Sequence, residues 1–367
     1  MSNTFETDVL IVGGGPAGSS TALSLLKYSK LKVMIVEQGD LSTLRVGEQV
    51  SASIFDLLTY LGISKNEFKE DCFLPAYDNL SAWGSLNISS RHSVLSAQIE
   101  GFQLDRENFD LLLLEKSAER GAIIFPRTKT MALQQKENFW LAELKHETKG
   151  DFNIKTKYLV DASGRQSHVS RKVGASFLKF DDLVSVGSYL QHSQNHLPKQ
   201  EILLETAEEG WWYYAVLPNK KIVVSLFTDA TIVKEKHLQK TEIWLETLQK
   251  TEHIKKKLAN TVSNENLWVR NAFSHLTDTS SQLNFIAVGD AAASFDPISS
   301  MGIGFAISSA CNGAKAIMDH DLNEHSLTKY QKNISHIFIN YIKNKSTFYN
   351  KEQRWKDAPF WKSRISI

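Results

Sequence analysis

Apolar and polar positions change period several times along this chain. Asp8-Val-Leu-Ile-Val12 is a continuous apolar run, the pattern of a strand covered on both faces. Gly-rich sequence follows, then helical spacing from Ser20 to Leu26, then a second strand-like run, Lys32-Val-Met-Ile-Val-Glu37. Together these predict a βαβ unit. The spacing predicts a helix over 48–61 stopped by Gly62, short strands and turns over 73–102, and a helix over 105–120 capped by Gly121. Alternation returns over 123–157, and Tyr158-Leu-Val-Asp161 leads into a second Gly-containing turn, Ala162-Ser-Gly-Arg165. Residues 184–227 again read as strands, and 241–258 as a helix. Asn284-Phe-Ile-Ala-Val-Gly-Asp290 reads as a buried strand running into a turn and the helix 302–318, and the tail 327–367 is helical with aromatic residues near its end. No internal repeat or low-complexity linker interrupts the pattern.

Bulk composition narrows the function classes. With 367 residues, 42% hydrophobic and 23% charged, the chain has the make-up of a globular enzyme and room for about two domain-sized units. A net charge of +1 gives no global field for nucleic acid or an anionic membrane, so neither is expected as a partner. Cys72 and Cys311 stand far apart without His or Cys at ligand spacing, so neither a metal site nor a disulfide framework is expected. The acidic N-terminal stretch enters a strand at once, and the apolar run 301–318 is broken by polar residues; the expectation is a cytoplasmic chain with no membrane span.

Gly13, Gly15 and Gly18 form G-x-G-x-x-G between a strand and a helix, and Glu37 ends the next strand. In this pattern the first glycine permits the tight turn, the second lets backbone approach a pyrophosphate, and the third lets helix and strand close up. The helix start, with Pro16 and Ala17, supplies N–H donors, and the acid accepts from the adenosine ribose. This is a Rossmann-like dinucleotide site, and by itself it does not separate NAD from FAD.

Three segments carry a resemblance that makes the separation: Gly13 to Gly18, Asp161-Ala-Ser-Gly-Arg-Gln-Ser167 with Arg171, and Gly289-Asp290 to Gly304. In these the chain resembles the FAD-dependent superfamily of aromatic hydroxylases, geranylgeranyl reductases and halogenases. The resemblance implies FAD as cofactor, with Gln38 beside Glu37 at the nucleotide and Asp290 on the ribityl chain. Pro297 and the Met301-Gly302-Ile303 backbone would lie along the isoalloxazine, where N–H groups opening a helix favour negative charge on reduced flavin. Arg45-Val-Gly-Glu48 resembles the loop that passes near the flavin, and Leu104-Asp-Arg106 the helix start that contacts the cofactor. The implied fold class is α/β with two lobes: a discontinuous Rossmann-like FAD-binding domain (1–75, 101–180 and 271–320), a β-sheet-rich substrate domain (76–100 and 181–270) and a C-terminal helical tail (321–367).

In the Gly47-Glu48 loop, the Ser299-Ser-Met-Gly302 turn and the tail Tyr349-Asn-Lys-Glu-Gln-Arg-Trp355 to Phe360-Trp361 the chain resembles the tryptophan-halogenase-like branch of that superfamily, yet it departs from halogenases at two places. Asn79 stands where they carry a lysine, and Tyr213 and Ala215 stand at the two tryptophan positions of their W-x-W-x-I-P motif. Ser81-Ala-Trp-Gly-Ser85 and the run Trp211-Trp-Tyr-Tyr214 are most similar to the flavoproteins that mature cysteine tryptophylquinone in quinoprotein amino-acid oxidases. That resemblance implies oxygenation of a tryptophan in a precursor protein through a flavin C4a-(hydro)peroxide. A small-molecule reductase, dehydrogenase or halogenase is the alternative. With one nucleotide fingerprint, electrons arrive from an external donor or reductase, or from NAD(P)H bound transiently. The candidate catalytic side chains are Asp78, Asp296 and Tyr213, with His168, His192 and His275 as further titratable groups.

Overall fold

Residues buried on both sides of a sheet are apolar without alternation, and the first strand shows why its sequence reads that way: Val9, Leu10 and Ile11 of Thr4–Val12 have no exposed surface. A computed structural model describes residues 4–40, 45–92, 101–192, 199–218, 220–259, 261–263 and 266–365. Thr4–Val12 lies at the centre of a seven-stranded sheet. Val33–Val36 and Gly150–Asp161 pair with it in parallel, with Ile11 opposite Ile35 and Val160. Ile123–Phe125 extends one side, and Phe285–Ala287 joins the end of Gly150–Asp161, also in parallel. Trp140–His146 and Thr128–Gln135 complete the other side as antiparallel strands. The helices Pro16–Tyr28, Arg106–Glu119 and Gly302–Asp319 pack beside one another, the first touching both others.

An eight-stranded sheet draws on different stretches of the chain. Leu183–His192, Lys221–Asp229, Gly210–Val216 and Glu201–Ala207 run antiparallel in that order. Asp78–Ala82 then adds in parallel, Leu80 opposite Leu203. Here the period-2 rule governs what each side chain meets. Trp212 and Tyr214 point to one face, where Trp212 packs edge-on against Trp244 at 5.2 Å. Trp211 and Tyr213 point to the other.

The structure corrects three expectations about local elements. Residues 48–61 are not one helix: Gln49–Ser51 is a strand, Val50 opposite Phe102, and the helix is Ile54–Leu61. Gly47 sits at φ +93°, and the carbonyl of Glu48 accepts from Leu104 N, so a ladder bond to a distant segment replaces the helical one. Residues 241–258 form two helices, Thr241–Leu248 and Ile254–Lys257. The buried Glu205 carboxylate accepts from the backbone N–H of His253 and Ile254 (3.1 and 2.9 Å), which starts a new helix there. The tail is likewise two helices, Ser326–Tyr349 and Pro359–Ile365, and Phe360 and Trp361 are fully buried against the second sheet's core. Expected strand positions within 93–100 lie outside the described residues. Among the described residues no helix is long and apolar enough to cross a membrane.

Candidate active site

The strand Thr4–Val12 ends at Gly13, whose N–H donates to Val36 O at 2.8 Å. Gly13 has φ +116°, and a Cβ there would lie 2.2 Å from the carbonyl oxygen of Ala162. The first and second Gly-containing turns are thus in direct backbone contact. A Cβ on Gly18 would lie 1.8 Å from Gly13 O, so the third glycine sets how closely the helix start approaches the strand. Gly15 differs: its Cβ would meet only Arg45 Nη1, at 3.7 Å. It caps the helix Pro16–Tyr28 without a side-chain hydrogen bond, so the first-turn N–H groups are left for another acceptor. The Glu37 carboxylate accepts from Gly14 N and Gly39 N, both at 2.7 Å, and so ties the end of its strand to the glycine turn.

The two later motifs close onto the first. Asp161 is fully buried, and its oxygens accept from the N–H and hydroxyl groups of Ser163 and Ser170. Arg165, from the same turn, donates to Asp290 Oδ2 (3.3 Å) and to the carbonyls of Phe295 and Asn271 (3.2 Å each). Gly289 has φ +59°, with room for no more than hydrogen beside Ala17. Ser167 bridges to His275 Nε2 (3.0 Å), whose other ring nitrogen meets Ser294 Oγ at 2.6 Å. Burial, reinforced by the Arg165 charge, pushes the His275 imidazole down to about 3, so it is a neutral bridge between loops. Arg171 is exposed and stacks over Phe177.

These elements enclose a cavity of about 950 Å³, at the upper end of the usual range for a bound cofactor or ligand. Gly13, Gly15, Pro16, Ala17, Glu37, Gln38, Arg45, Glu48, Arg106, Asp290, Pro297, Gly302 and Ile303 line it. Gly18 and Gly289 stand behind the wall and act by packing, and Met301 is half-buried against the core below. Arg106 spends its guanidinium on Asp110 (3.0 and 2.9 Å) and on the carbonyls of Val46 and Gly47 (2.8 Å each), holding the loop that carries Glu48. Ser300 Oγ donates to Gln49 Oε1 at 2.8 Å and joins that loop to the Pro297–Gly302 turn. The helix Gly302–Asp319 starts without a side-chain cap, and a Cβ on Gly302 would meet nothing within 4 Å. Two uncapped helix starts and a glycine face open to the cavity fit the pyrophosphate and ring of a flavin dinucleotide.

The far wall is the face of the eight-stranded sheet that carries Trp211 and Tyr213, with Phe227, Ser185 and Ser225 beside them. Trp211 stacks on Phe227 at 4.1 Å between centroids, and its Nε1 donates to Tyr349 Oη at 2.9 Å. Tyr349 in turn donates to Asp296 Oδ2 at 2.7 Å. Asp296 lines the cavity but is fully buried, and burial raises its carboxyl above the usual range. Tyr213 meets Gln103 at 3.2 Å, and burial beside Glu48 raises its phenol. Asp78 does not line the cavity; it is ion-paired to Lys199. His168 lines the nucleotide end, and the side chain of His192 lies outside the described residues. Sequence reasoning did not single out Arg165, Ser185, Ser225, Phe227 or Tyr349 as site residues; Arg165 and Tyr349 lay inside quoted motifs, the others in none.

Comparison with known proteins agrees with this geometry. The FAD binding domain family matches residues 6–332. The FAD-dependent oxidoreductase LodB of Marinomonas mediterranea is 41% identical over 359 residues, 97% of this chain and 96% of LodB. Tryptophan 2-halogenase of Chondromyces crocatus is 26% identical, over 97% of this chain and 70% of its own length. The crystal structure of CmlS, a flavin-dependent halogenase, superposes with a TM-score of 0.87 at 23% identity, over 98% of this chain and 67% of that one, a likeness of fold.

Proposed function

The chain belongs to the FAD binding domain family and is an FAD-dependent oxidoreductase, and from that premise we propose that it is a monooxygenase hydroxylating a tryptophan side chain of a precursor protein in cysteine tryptophylquinone maturation. The observation that carries this reading is the continuity of one cavity from the glycine turn to an aromatic wall built by Trp211, Tyr213 and Phe227. Such a wall suits a flat, electron-rich ring, which stacks or meets it edge-on. The similarity of the Ser81–Ser85 and Trp211–Trp212 stretches to maturation flavoproteins supplies the substrate class.

In this reading Gly13, Gly15, Pro16 and Ala17 hold the pyrophosphate, with Gly18 packed behind them and Arg45 opposite, while Glu37 and Gln38 hold the adenosine. Asp290 takes the ribityl chain, and the Pro297–Ile303 backbone takes the ring. The cofactor supplies two-electron reduction of dioxygen. The protein's part is to exclude water, to fix the substrate ring against the aromatic wall and to manage protons. The seven-stranded sheet with its helices forms the FAD-binding domain, and the eight-stranded sheet forms the substrate domain. Electrons come from a separate reductase or from NAD(P)H.

Co-expression with a quinoprotein oxidase precursor, followed by peptide mass spectrometry, tests the reading. Added oxygen on one tryptophan, absent without this chain, is the expected result. An unmodified precursor together with reduction or dehydrogenation of a small molecule overturns it.

A further inference from the structure

Four carboxyl groups line the cavity, and each of them is hydrogen-bonded or ion-paired. Glu37 is held by the Gly14 and Gly39 N–H groups. Asp290 faces Arg165 and is 30% exposed. Asp296 is turned into the fold, accepting from Ile298 N and Tyr349 Oη, with Lys345 Nζ at 3.8 Å. Glu48 is different. It is 5% exposed and sits where the Arg45–Gln49 loop meets the sheet that carries the aromatic wall. Its Oε1 accepts from Tyr189 Oη at 2.8 Å.

The groups around it come from three elements. Tyr189 reaches it from Leu183–His192, and the Tyr213 phenol adjoins it from Gly210–Val216. From Arg106–Glu119 come Arg106 and, through it, Asp110, which also binds Arg45 at 2.6 Å. Arg106 is bonded two-pronged to Asp110, and its charge also acts on Glu48. Burial outweighs the Tyr189 bond, the Arg106 charge and the backbone bonds from Gly47 and Glu48, and raises the Glu48 carboxyl above the usual range. A carboxyl so placed exchanges a proton nearer neutrality than an exposed one.

Resting on the monooxygenase reading above, we propose that Glu48 is the proton acceptor of the cavity, taking the ring proton released when the substrate is oxygenated. The step balances as follows. Dioxygen, with the two electrons and two protons of reduced FAD, supplies one oxygen and one proton to the ring carbon as hydroxyl, and the second oxygen leaves as water with the other flavin proton and the ring proton that Glu48 passes on. The carbon that gains the C–O bond then loses its hydrogen as a proton to the Glu48 carboxylate, and the C–H electron pair restores the aromatic system. Tyr189 orients the carboxylate and acts as a positioning residue.

The test uses the FAD-loaded full chain with the precursor protein. Glu48→Gln keeps an acceptor for Tyr189 and is expected to bind FAD like the wild type while oxygenated product per dioxygen consumed falls roughly 100-fold. Tyr189→Phe removes a bond that favours the carboxylate, so the product-against-pH profile moves to higher pH. Infrared titration gives a readout without turnover: the band of a buried protonated carboxyl present in the wild type is lost in Glu48→Gln. Wild-type coupling in Glu48→Gln, loss of FAD binding in that variant, or infrared spectra identical to the wild type throughout the pH range of activity each overturn the proposal alone. Absence of oxygenated product from the wild type overturns the monooxygenase reading, and the proposal with it.

Discussion

Gly18→Ala is the sharpest probe of how the fold builds the nucleotide site. The new Cβ would lie 1.8 Å from Gly13 O and 3.3 Å from Ala162 Cβ. Restoring an ordinary separation of about 3.5 Å requires the helix start and the glycine turn to part by roughly 1.7 Å. The obstacle is backbone, so no rotamer change relieves it, and the cost belongs near the upper end of overpacking, about 3 kcal/mol. In a chain of this size that lowers Tm by roughly 4 °C. The same movement withdraws first-turn N–H groups from the pyrophosphate; losing one charge-assisted bond weakens FAD binding by about 10- to 100-fold. Thermal melts and FAD fluorescence titration measure the two effects. Gly121→Ala is the control: φ is +104°, nothing lies within 4 Å of the new Cβ, and the site is outside the cavity. It should cost about 1–2 kcal/mol of stability and leave FAD affinity intact. A Gly18→Ala protein that melts and binds FAD like the wild type would refute the reasoning.

Other outcomes follow from buried groups. Tyr349→Phe deprives both Trp211 Nε1 and Asp296 of a partner and should destabilise by about 1–3 kcal/mol for each group left unpaired, read from the urea midpoint. His275 binds its proton far more weakly folded, at about 3, than unfolded, near the ordinary 6.5 of an imidazole. Its contribution is therefore present above pH 6.5 and lost as pH falls toward 3, at up to about 1.4 kcal/mol per pH unit. His275→Asn should flatten that part of the stability-against-pH curve; an unchanged slope counts against the neutral bridge. Cys72 and Cys311 are buried, and burial pushes both thiols up to about 12. A maleimide at pH 8 should label neither until the chain unfolds, and rapid native labelling would contradict the packing.

What the sequence alone determined about this protein is what depends on neighbours along the chain. The buried strand, glycine turn and helix of the first βαβ unit are contiguous, so periodicity and turn chemistry suffice to read them. The same holds for the helix after Met301 and for the alternation that separates Trp211 and Tyr213 from Trp212 and Tyr214. Tertiary structure decided the rest, because the deciding partners are remote. Residues 49–51 have spacing compatible with a helix, and it is the ladder with Gly101–Leu104 that makes them extended. Arg165 meets Asp290 125 residues further on, and Glu48 meets Tyr189 141 residues away. Which tryptophan faces the cavity depends on which side of the sheet receives the helix Thr241–Leu248, whose Trp244 packs on Trp212, and no local pattern encodes that choice.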